Sequence, residues 1–288
     1  MSNRHWLAFV YRLVRLAGRP SEATSELIRS SYDRIAGGYD AAWTDHMRGL
    51  SLELLDRLTP PFGARCLDLT CGTGFVAAEL ARRCGTRPVG VDASAGMLDV
   101  ARREHGATCD FVVADALEYL RAQPAGCADI VTCGWGLGYI RPWKVLGQIV
   151  RVLRPGGQVA IIDNSLFSLW RVIWCATKTF AERPEALDHV MKVRFLPGSR
   201  TLAWMMAARG LRPTYTADGS KSYVVATGDE AIARLTATGA AAGFEFAARP
   251  EMKDEIFSRF ARNLERDCSG PAGLEITHRY LAAIGQKR

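Results

Sequence analysis

The chain has 288 residues, of which 48% are hydrophobic, 23% charged and 9% aromatic. This ordinary globular composition excludes disordered, collagen-like and low-complexity proteins. The net charge of +7 permits an anionic partner, such as nucleic acid or an acidic membrane, without selecting one. No stretch reaches the roughly 18 uninterrupted apolar residues of a spanning helix, because the best candidate, residues 166–175, contains Arg171.

The eight cysteines bear on metal binding and on the compartment. They form no CxxC pair and no Cys/His spacing of a metal site, so we expect no bound metal. Several lie in apolar runs, which is typical of core thiols in a reducing compartment. Arginines interrupt the N-terminal apolar segment, and no cleavage site follows, so a signal peptide is not expected. A cytoplasmic location follows.

Residues 4–19 predict a basic amphipathic helix. At about 100° per residue, its four arginines fall within an arc of roughly 80°, opposite a face that includes Trp6 and Phe9. Such a helix can lie peripherally in the headgroup region of an anionic membrane, on its inner face. It can equally pack on the protein's own core or on a second subunit, as in a homodimer. These alternatives stay open.

From residue 65 the chain alternates between short apolar runs and helical patterns. The predicted strands are RCLDLTC, PVGVDAS, CDFVVADA, ADIVTCGWG and QVAIIDN. Strands separated by helices of this length pair in parallel through right-handed crossovers. The pattern therefore predicts an α/β protein with a doubly wound, mostly parallel, seven-stranded sheet.

This alternation of strand and helix patterns ends after Asn164. Residues 165–222, rich in Trp and Met, predict a helical insertion after the fifth strand. Further along, GDEAIARLTATGAAAGFEFAARP predicts a helix and a strand, EIFSRFARNL a last strand and LEITHRYLAAIG a closing helix. The predicted organisation is an N-terminal amphipathic helix and helical lid (1–60), a cofactor-binding core (61–164), a substrate cap (165–222) and the completion of the core (223–288).

The chemistry is expected where the strands end. In the turn DLTCGTG, Gly72 and Gly74 allow a sharp bend and let a ligand lie against main-chain amides. Asp92 ends the second strand about 20 residues later, where a carboxylate can accept both ribose hydroxyls. Asp115 ends the third strand. Each acid alone is more often a solvated residue or a helix N-cap, but Asp68, Asp92 and Asp115 together on one rim predict a ligand site.

These segments carry a family resemblance. CLDLTCGTG, VGVDAS, VVADAL, ADIVTCGWG and VLRPGGQVAIID resemble the motifs of class I S-adenosylmethionine-dependent methyltransferases in order and spacing. The upstream YDRIAGGYD resembles the ubiquinone/menaquinone-type and phospholipid N-methyltransferases. The likeness runs from about Tyr32 to Asp163, with a further match near Gly243. Thr70-Cys71 departs from it, since many members have Gly-Cys or Ala-Cys there.

The resemblance implies S-adenosylmethionine as cofactor and S-adenosylhomocysteine as product. Asp68 would orient the glycine loop and the methionine amine, and Asp92 would hold the ribose. Tyr32 and Tyr39 would close over the cofactor from the lid, with ordinary helix packing as the alternative. The implied cofactor-binding residues are Tyr32, Tyr39, Asp68, Thr70, Gly72, Gly74, Asp92, Ser94, Met97, Asp115, Ala116, Gly134 and Trp135.

Methyl transfer from a sulfonium is an in-line displacement, so the protein mainly positions the acceptor and excludes water. A base is needed only when the acceptor arrives protonated. The candidates near the strand ends are Asp163, Tyr139 and His46.

The cap and the basic helix favour an amphiphilic acceptor, such as a lipid amine or a quinol. One alternative is a soluble enzyme that methylates a natural product and uses its N-terminal helix for dimerisation. Another is a cofactor-binding scaffold without catalysis. Nucleic acid is disfavoured as a substrate, because the chain has no Lys/Arg-rich run and no Pro-Pro-aromatic motif after the fourth strand.

Overall fold

The structure is a computed structural model that describes residues 3–18, 22–240 and 246–288. Its residues form two compact units. We call residues 36–167, 193–219 and 279–288 the sheet unit, and the described parts of 1–35, 168–192 and 220–278 the helical unit. Two residues of the sequence predictions, Arg19 of the amphipathic helix and Gly243 of the resemblance, lie outside the described residues.

The secondary structure contains helices and strands in alternation over the centre of the chain. The helices are α1 Asn3–Ala17, α2 Glu22–Ile35, α3 Asp45–Leu55, α4 Phe75–Cys84, α5 Ala95–His105, α6 Ala116–Ala122, α7 Pro142–Val152, α8 Trp170–Glu182, α9 Ser199–Ala208, α10 Gly228–Ala237 and α11 Lys253–Cys268. The strands are β1 Cys66–Leu69, β2 Val89–Asp92, β3 Asp110–Val113, β4 Ala128–Gly134, β5 Leu153–Asn164, β6 Leu211–Val225, β7 Ser269–Gly270 and β8 Gly273–Lys287.

The sheet has the strand order β3-β2-β1-β4-β5-β8-β6, with the two-residue β7 paired to β8. The neighbours from β3 to β5 are parallel, and β8 runs antiparallel to β5. The order reverses at β1, whose partners are β2 and β4. The predicted doubly wound, mostly parallel sheet is confirmed. Its main path has seven strands, which is the predicted number.

Parallel strands must be covered on both faces, and the sheet unit does this with two apolar clusters. One cluster packs Leu69, Val131 and Ile161 against α7 and α9 residues such as Ile149 and Met206. The other packs Cys66, Ile130 and Ile162 of the same strands against Leu54 and Leu80, from α3 and α4. Alternate residues of each strand therefore face opposite helical layers.

Three predictions for the end of the chain are wrong. EIFSRFARNL lies in α11, whose buried Ile256, Phe260 and Leu264 recur at helical spacing. LEITHRYLAAIG lies in strand β8, where burial alternates from Leu274 to His278 and is continuous from Leu281 to Gly285. Residues 211–222 of the expected helical insertion belong to strand β6, whose exposure also alternates. The insertion is helical in α8 and α9, and its role as a substrate cap stays a prediction.

Another predicted strand, in GFEFAARP, is not formed by the residues that the structure describes. Residues 243–245 lie outside the described part, and residues 246–250 contain only a single bridge, between Ala248 and Leu187.

The predicted amphipathic helix is α1, in the helical unit. Its Phe9 and Leu16 are buried in an apolar cluster with Phe180 of α8 and with Leu187. Part of its apolar face therefore packs on the protein's own core, which was one of the alternatives.

The start of α4 requires a glycine. Gly74 has φ +89°, and a Cβ built on it would lie 2.9 Å from Cζ of Phe111 and 3.2 Å from Cβ of Ala101. Any other residue would combine left-handed backbone with overpacking, and each costs free energy.

We therefore expect Gly74→Ala to lower the free energy of unfolding more than Gly126→Ala does. Gly126 also has positive φ, +65°, but a Cβ there would meet nothing within 4 Å. The control should lose about 1–2 kcal/mol through backbone conformation alone. Gly74→Ala should lose roughly 1–3 kcal/mol more through crowding. Urea unfolding followed by tryptophan fluorescence measures both, and equal losses would contradict the packing of Gly74.

Candidate functional site

A cavity lies at the carboxyl ends of β1 and β4, within the sheet unit. Its empty volume is about 450 Å³, part of it open to solvent. Ligands of doubly wound sheets bind at this edge, where the strand order reverses. The lining residues are Tyr39, Trp43, Thr44, Met47, Ser51, Asp68, Thr70, Cys71, Gly72, Thr73, Phe75, Val76, Gly134 and Trp135.

The floor of the cavity is the turn between β1 and α4. Thr70, Gly72 and Gly74 all have positive φ, at +54°, +54° and +89°. For Thr70, a β-branched residue, this conformation is an outlier. Its hydroxyl donates to the carbonyl of Leu69 at 2.5 Å. A Cβ on Gly72 would meet only Cε1 of Tyr39, at 4.0 Å, so the space above this backbone is open.

Asp92 at the end of β2 holds this turn. Its Oδ2 accepts a hydrogen bond from the amide of Gly72 at 2.9 Å, and its Oδ1 accepts one from the amide of Ser94 at 2.9 Å. The carboxylate predicted from its distance along the chain is therefore in contact with the glycine turn. Asp92 itself is not among the residues that line the cavity.

Asp68 is the one carboxylate that lines the cavity. It is 1% exposed, and its Oδ1 accepts a hydrogen bond from the hydroxyl of Thr132 at 2.6 Å. Burial and the neighbouring Asp92 raise the pKa of Asp68 to about 7, whereas the Thr132 hydroxyl and the backbone of Ala77 oppose this shift only in part. Its buried Oδ2 has no hydrogen-bond partner among the described residues. A buried carboxylate in this state is stabilised by a cationic ligand group.

Aromatic side chains form one wall. The rings of Trp43 and Trp135 meet edge to face, with centroids 5.4 Å apart, and Nε1 of Trp135 donates to Oγ of Ser51 at 3.0 Å. Trp135 has φ +59°, a second non-glycine residue in the left-handed region. Trp43 and Ser51 therefore fix the orientation of Trp135, the first through its ring and the second through its nitrogen.

The segment before α3 is tied to the turn by one hydrogen bond. The hydroxyl of Thr73 donates to Oδ1 of Asp40 at 2.6 Å. Asp40 begins a π-helical stretch, Asp40–Thr44, that carries Trp43 to the cavity. Such stretches often occur at functional sites.

Burial raises the pKa of Tyr39 well above its usual value, and the neighbouring Tyr139, Asp92, Asp40 and Asp163 raise it further. The Tyr39 hydroxyl therefore keeps its proton at neutral pH.

Four further predicted residues lie at the next strand ends and do not line the cavity. Ser94 caps α5, its Oγ accepting from the amide of Met97 at 3.1 Å. Asp115 caps α6, its Oδ1 accepting from the amides of Leu117 and Glu118. Ala116, like Met97, is buried. Capping explains Ser94 and Asp115 structurally, and their contact with a cofactor stays a prediction.

The three catalytic candidates are not among the lining residues. Asp163 is 2% exposed, and its oxygens accept from the amides of Gly138 at 2.6 Å and Asn164 at 2.8 Å. Burial raises its pKa to about 7. Tyr139 packs edge to face on Phe195, and His46 lies half-buried on α3.

Tyr32 belongs to the helical unit, where its ring lies against Gly239, and it is not among the lining residues. The sequence reasoning brought together Tyr39, Asp68, Thr70, Gly72, Gly134 and Trp135, all of which line the cavity. It missed those that line the cavity from the α3 side, Trp43, Thr44, Met47 and Ser51, and those in and after the turn, Cys71, Thr73, Phe75 and Val76. Trp43 stands four residues after Tyr39, so in a helix both side chains lie on one face. That spacing was the signal in the sequence that could have placed Trp43 at the cavity.

The residues present fit S-adenosylmethionine. The lining residues include no Lys, Arg or His and one carboxylate, a charge balance that suits the cofactor's ammonium and sulfonium groups. The unpartnered Oδ2 of Asp68 offers an acceptor, and the open backbone at Gly72 leaves room for the ligand.

Two negative findings apply to the residues described. Among them, no three His, Cys, Asp or Glu side chains come together in a group that could hold a metal ion. No helix in the described ranges has the length and apolar character needed to cross a membrane. All eight cysteines fall in these ranges, and none forms a disulfide.

Residues 66–157 match a family model described as a methyltransferase domain. Demethylmenaquinone methyltransferase from Clavibacter sepedonicus is 33% identical over 159 residues, 52% of this chain and 61% of that protein. 2-Phytyl-1,4-naphtoquinone methyltransferase from Thermosynechococcus vestitus is 35% identical over 147 residues, 48% of this chain and 64% of that protein. The chain thus spans less than two thirds of the length of these relatives.

The solved structure of the YcgJ protein from Bacillus subtilis has the same fold. It superimposes with a TM-score of 0.56 at 19% identity, covering 84% of this chain and 99% of that one. Residues 66–157 thus match a methyltransferase domain, and the chain has the fold of this solved structure.

Proposed function

We propose that the protein binds S-adenosylmethionine in the cavity and transfers its methyl group to an amphiphilic acceptor of the quinol or lipid-amine type. The observation that carries the cofactor assignment is Asp68, a buried carboxyl at the cavity with one unpartnered oxygen and a pKa raised to about 7. Ionisation of this group becomes favourable when the ligand's ammonium lies beside it.

The cofactor brings a methyl group already activated on a sulfonium, so this chain's residues need to bind, orient and exclude water. Asp68 would hold the amine, the amide-braced turn at Gly72 would lie against the methionine portion, and Asp92 would accept the ribose hydroxyls. Trp43 and Trp135 would keep water from the reacting face.

Proton removal is needed only for an acceptor that arrives protonated. Tyr39 keeps its own proton at neutral pH and is therefore a donor rather than a base. Asp163, Tyr139 and His46 stay predictions for this role. Of these, Asp163 has a pKa raised to about 7, which suits a group that exchanges a proton near neutral pH.

The acceptor class is supported by the two quinone-type relatives, whose names give demethylmenaquinone and 2-phytyl-1,4-naphtoquinone. Such molecules dissolve in a bilayer. We propose peripheral contact with the cytoplasmic face of an anionic membrane through residues 4–19. In support, Leu7, Val10 and Val14 of α1 are exposed although Phe9 and Leu16 are buried.

The first test is calorimetric titration with S-adenosylhomocysteine, followed by transfer of a labelled methyl group to a reduced demethylated quinone in mixed micelles. Asp92→Ala should weaken binding by about 1–3 kcal/mol through lost charge-assisted hydrogen bonds. Asp110→Ala is the matched control. Asp110 starts the next strand, is exposed and pairs with Arg87, so its loss should leave binding unchanged.

The outcomes separate the rival functions. Binding with transfer to the quinol supports the proposal. Binding with transfer only to soluble aromatic acceptors would favour a natural-product methyltransferase. Binding without transfer to any acceptor class would favour a scaffold, and equal affinity of both aspartate variants would overturn the ribose assignment.

Cofactor affinity should depend on pH through Asp68. The pKa of its carboxyl is raised to about 7 in the free protein, and the ligand's ammonium favours the ionised form. Affinity for S-adenosylhomocysteine should therefore rise roughly tenfold from pH 6 to pH 8. Asp68→Asn should abolish this slope, whereas Asp163→Asn, which removes the other carboxyl with a pKa near 7, should keep it. A slope that survives in Asp68→Asn contradicts the assignment.

The bond between Thr73 and Asp40 should contribute to cofactor retention. Asp40→Ala removes the acceptor that holds the Asp40–Thr44 stretch on the turn. We expect S-adenosylhomocysteine to bind about fivefold to tenfold more weakly, the equivalent of one lost hydrogen bond. Asp45→Ala, which breaks only an exposed ion pair with Arg48, should bind like the wild type. Indistinguishable affinities for the two variants would mean that the bond does not support the site.

A further inference from the structure

Helix α1 carries two distinct apolar stripes. The first, with Phe9 and Leu16, is buried in the helical unit. The second consists of Leu7, Val10, Tyr11 and Val14, and these side chains are exposed by 71%, 49%, 71% and 68%. At about 100° per residue the second stripe lies roughly opposite the first, so packing on the protein's core does not account for it.

Helix α8 of the same unit has a matching stripe. Trp170, Ile173 and Trp174 are spaced i, i+3, i+4 and are each about half exposed, whereas Val172 and Cys175 are buried. Large side chains thus face outward on a helix whose other side is fully packed.

The two stripes meet at a pair of indoles. The rings of Trp6 and Trp174 are stacked, with centroids 6.0 Å apart and planes at 19°. Trp6 lies one helical turn before Val10, on the adjoining edge of α1. The apolar side chains of α1 and α8 therefore form one continuous surface, which we call the α1–α8 face.

The charged residues that α1 and residues 170–181 contribute to this face are basic. Residues 1–21 contain four arginines and no Asp or Glu, and residues 170–181 contain Arg171 and Lys178 and no acid. Arg171 and Lys178 are engaged with Asp267. Arg4 and Arg15, next to the exposed stripe of α1, are exposed and form no ion pair with the residues described.

We propose that the α1–α8 face is a membrane-binding site that inserts into the interfacial region of an anionic bilayer. Tryptophan and tyrosine favour that region, and arginines beside an apolar stripe reach the phosphates. A second copy of the chain fits less well. A two-fold interface is isologous, so it would bring Arg4 and Arg15 of each copy towards the same cations of the other.

This inference extends the proposed membrane contact of residues 4–19, on which it rests, by adding α8 as an equal half of the site. Occupation of the face would hold the protein at the phase that dissolves an amphiphilic acceptor. The residues that define the new half are Trp170, Ile173 and Trp174.

The test is sedimentation of the full-length protein with vesicles of phosphatidylcholine containing about one third phosphatidylglycerol. The α8 variant is Trp170→Ser with Ile173→Ser, and the α1 variant is Leu7→Ser with Val14→Ser. Trp204→Ser is the control, since Trp204 is 65% exposed but lies in the sheet unit. Affinity for S-adenosylhomocysteine reports in each case that the protein is folded.

We expect the wild type and the control to bind the anionic vesicles, with weaker binding to pure phosphatidylcholine and at high salt. Each double variant should partition to the vesicles more than about tenfold more weakly. The reason is that serine replaces two apolar side chains that the bilayer would otherwise bury. Tryptophan fluorescence should shift to the blue on binding in the wild type.

Three results would overturn the proposal. If only the α1 variant loses binding, α8 is not part of the site, although the membrane contact of residues 4–19 stands. If the wild type ignores anionic vesicles but still binds S-adenosylhomocysteine, both membrane proposals fail and the cofactor site stands. If the wild type is a dimer that the α8 variant converts to a monomer, the face binds a second copy.

Discussion

The left-handed backbone after β1 is the constraint on which the site depends. Because Gly72 turns back over the strand end, its amide reaches the carboxylate of Asp92 on the neighbouring strand. The same turn presents the hydroxyl of Thr73 to Asp40 and starts α4 at Gly74. One short stretch of chain thus connects two strands, a helix and the segment that carries the aromatic wall. A side chain at Gly74, where this stretch enters α4, would clash with Phe111.

The parallel half of the sheet was predictable because each of its strands is a short apolar run followed by a helix, and this alternation implies parallel strands joined by right-handed crossovers. The antiparallel end was not. In β8 the stretch Leu281–Ile284 is buried on both faces, so it has no alternation and its Leu and Ala content is typical of a helix. In α11 the aromatic and β-branched residues favoured a strand, although Ile256, Phe260 and Leu264 keep helical spacing. Tertiary burial decided both cases against local propensity.

The candidate site also contains residues that were predictable from the sequence and residues that were not. Asp68, Gly72 and Asp92 were found because strand ends of a doubly wound sheet meet at one rim, so that positions along the chain translate into positions in space. Trp43 and Ser51 reach the cavity from a helical segment that no such rule places. Their contacts with Trp135 are tertiary, between residues more than eighty positions apart in the sequence. Sequence reasoning therefore located the floor of the cavity and Trp135 of its aromatic wall, and missed Trp43 and Ser51, which contact Trp135.

Thr70 and Trp135 show where the fold gives up stability for the site. Both have left-handed backbone without being glycine, both follow adjacent parallel strands, β1 and β4, and both line the cavity. Such conformations cost on the order of 1–3 kcal/mol each and persist only where the surroundings over-determine them. Here the surroundings include Gly136, since a Cβ at that position would overlap the hydroxyl of Thr70. The absence of a side chain at Gly136 therefore leaves room for Thr70. A side chain at position 136, in the turn after β4, would displace Thr70, so the turns after β1 and β4 together set the shape of the cavity.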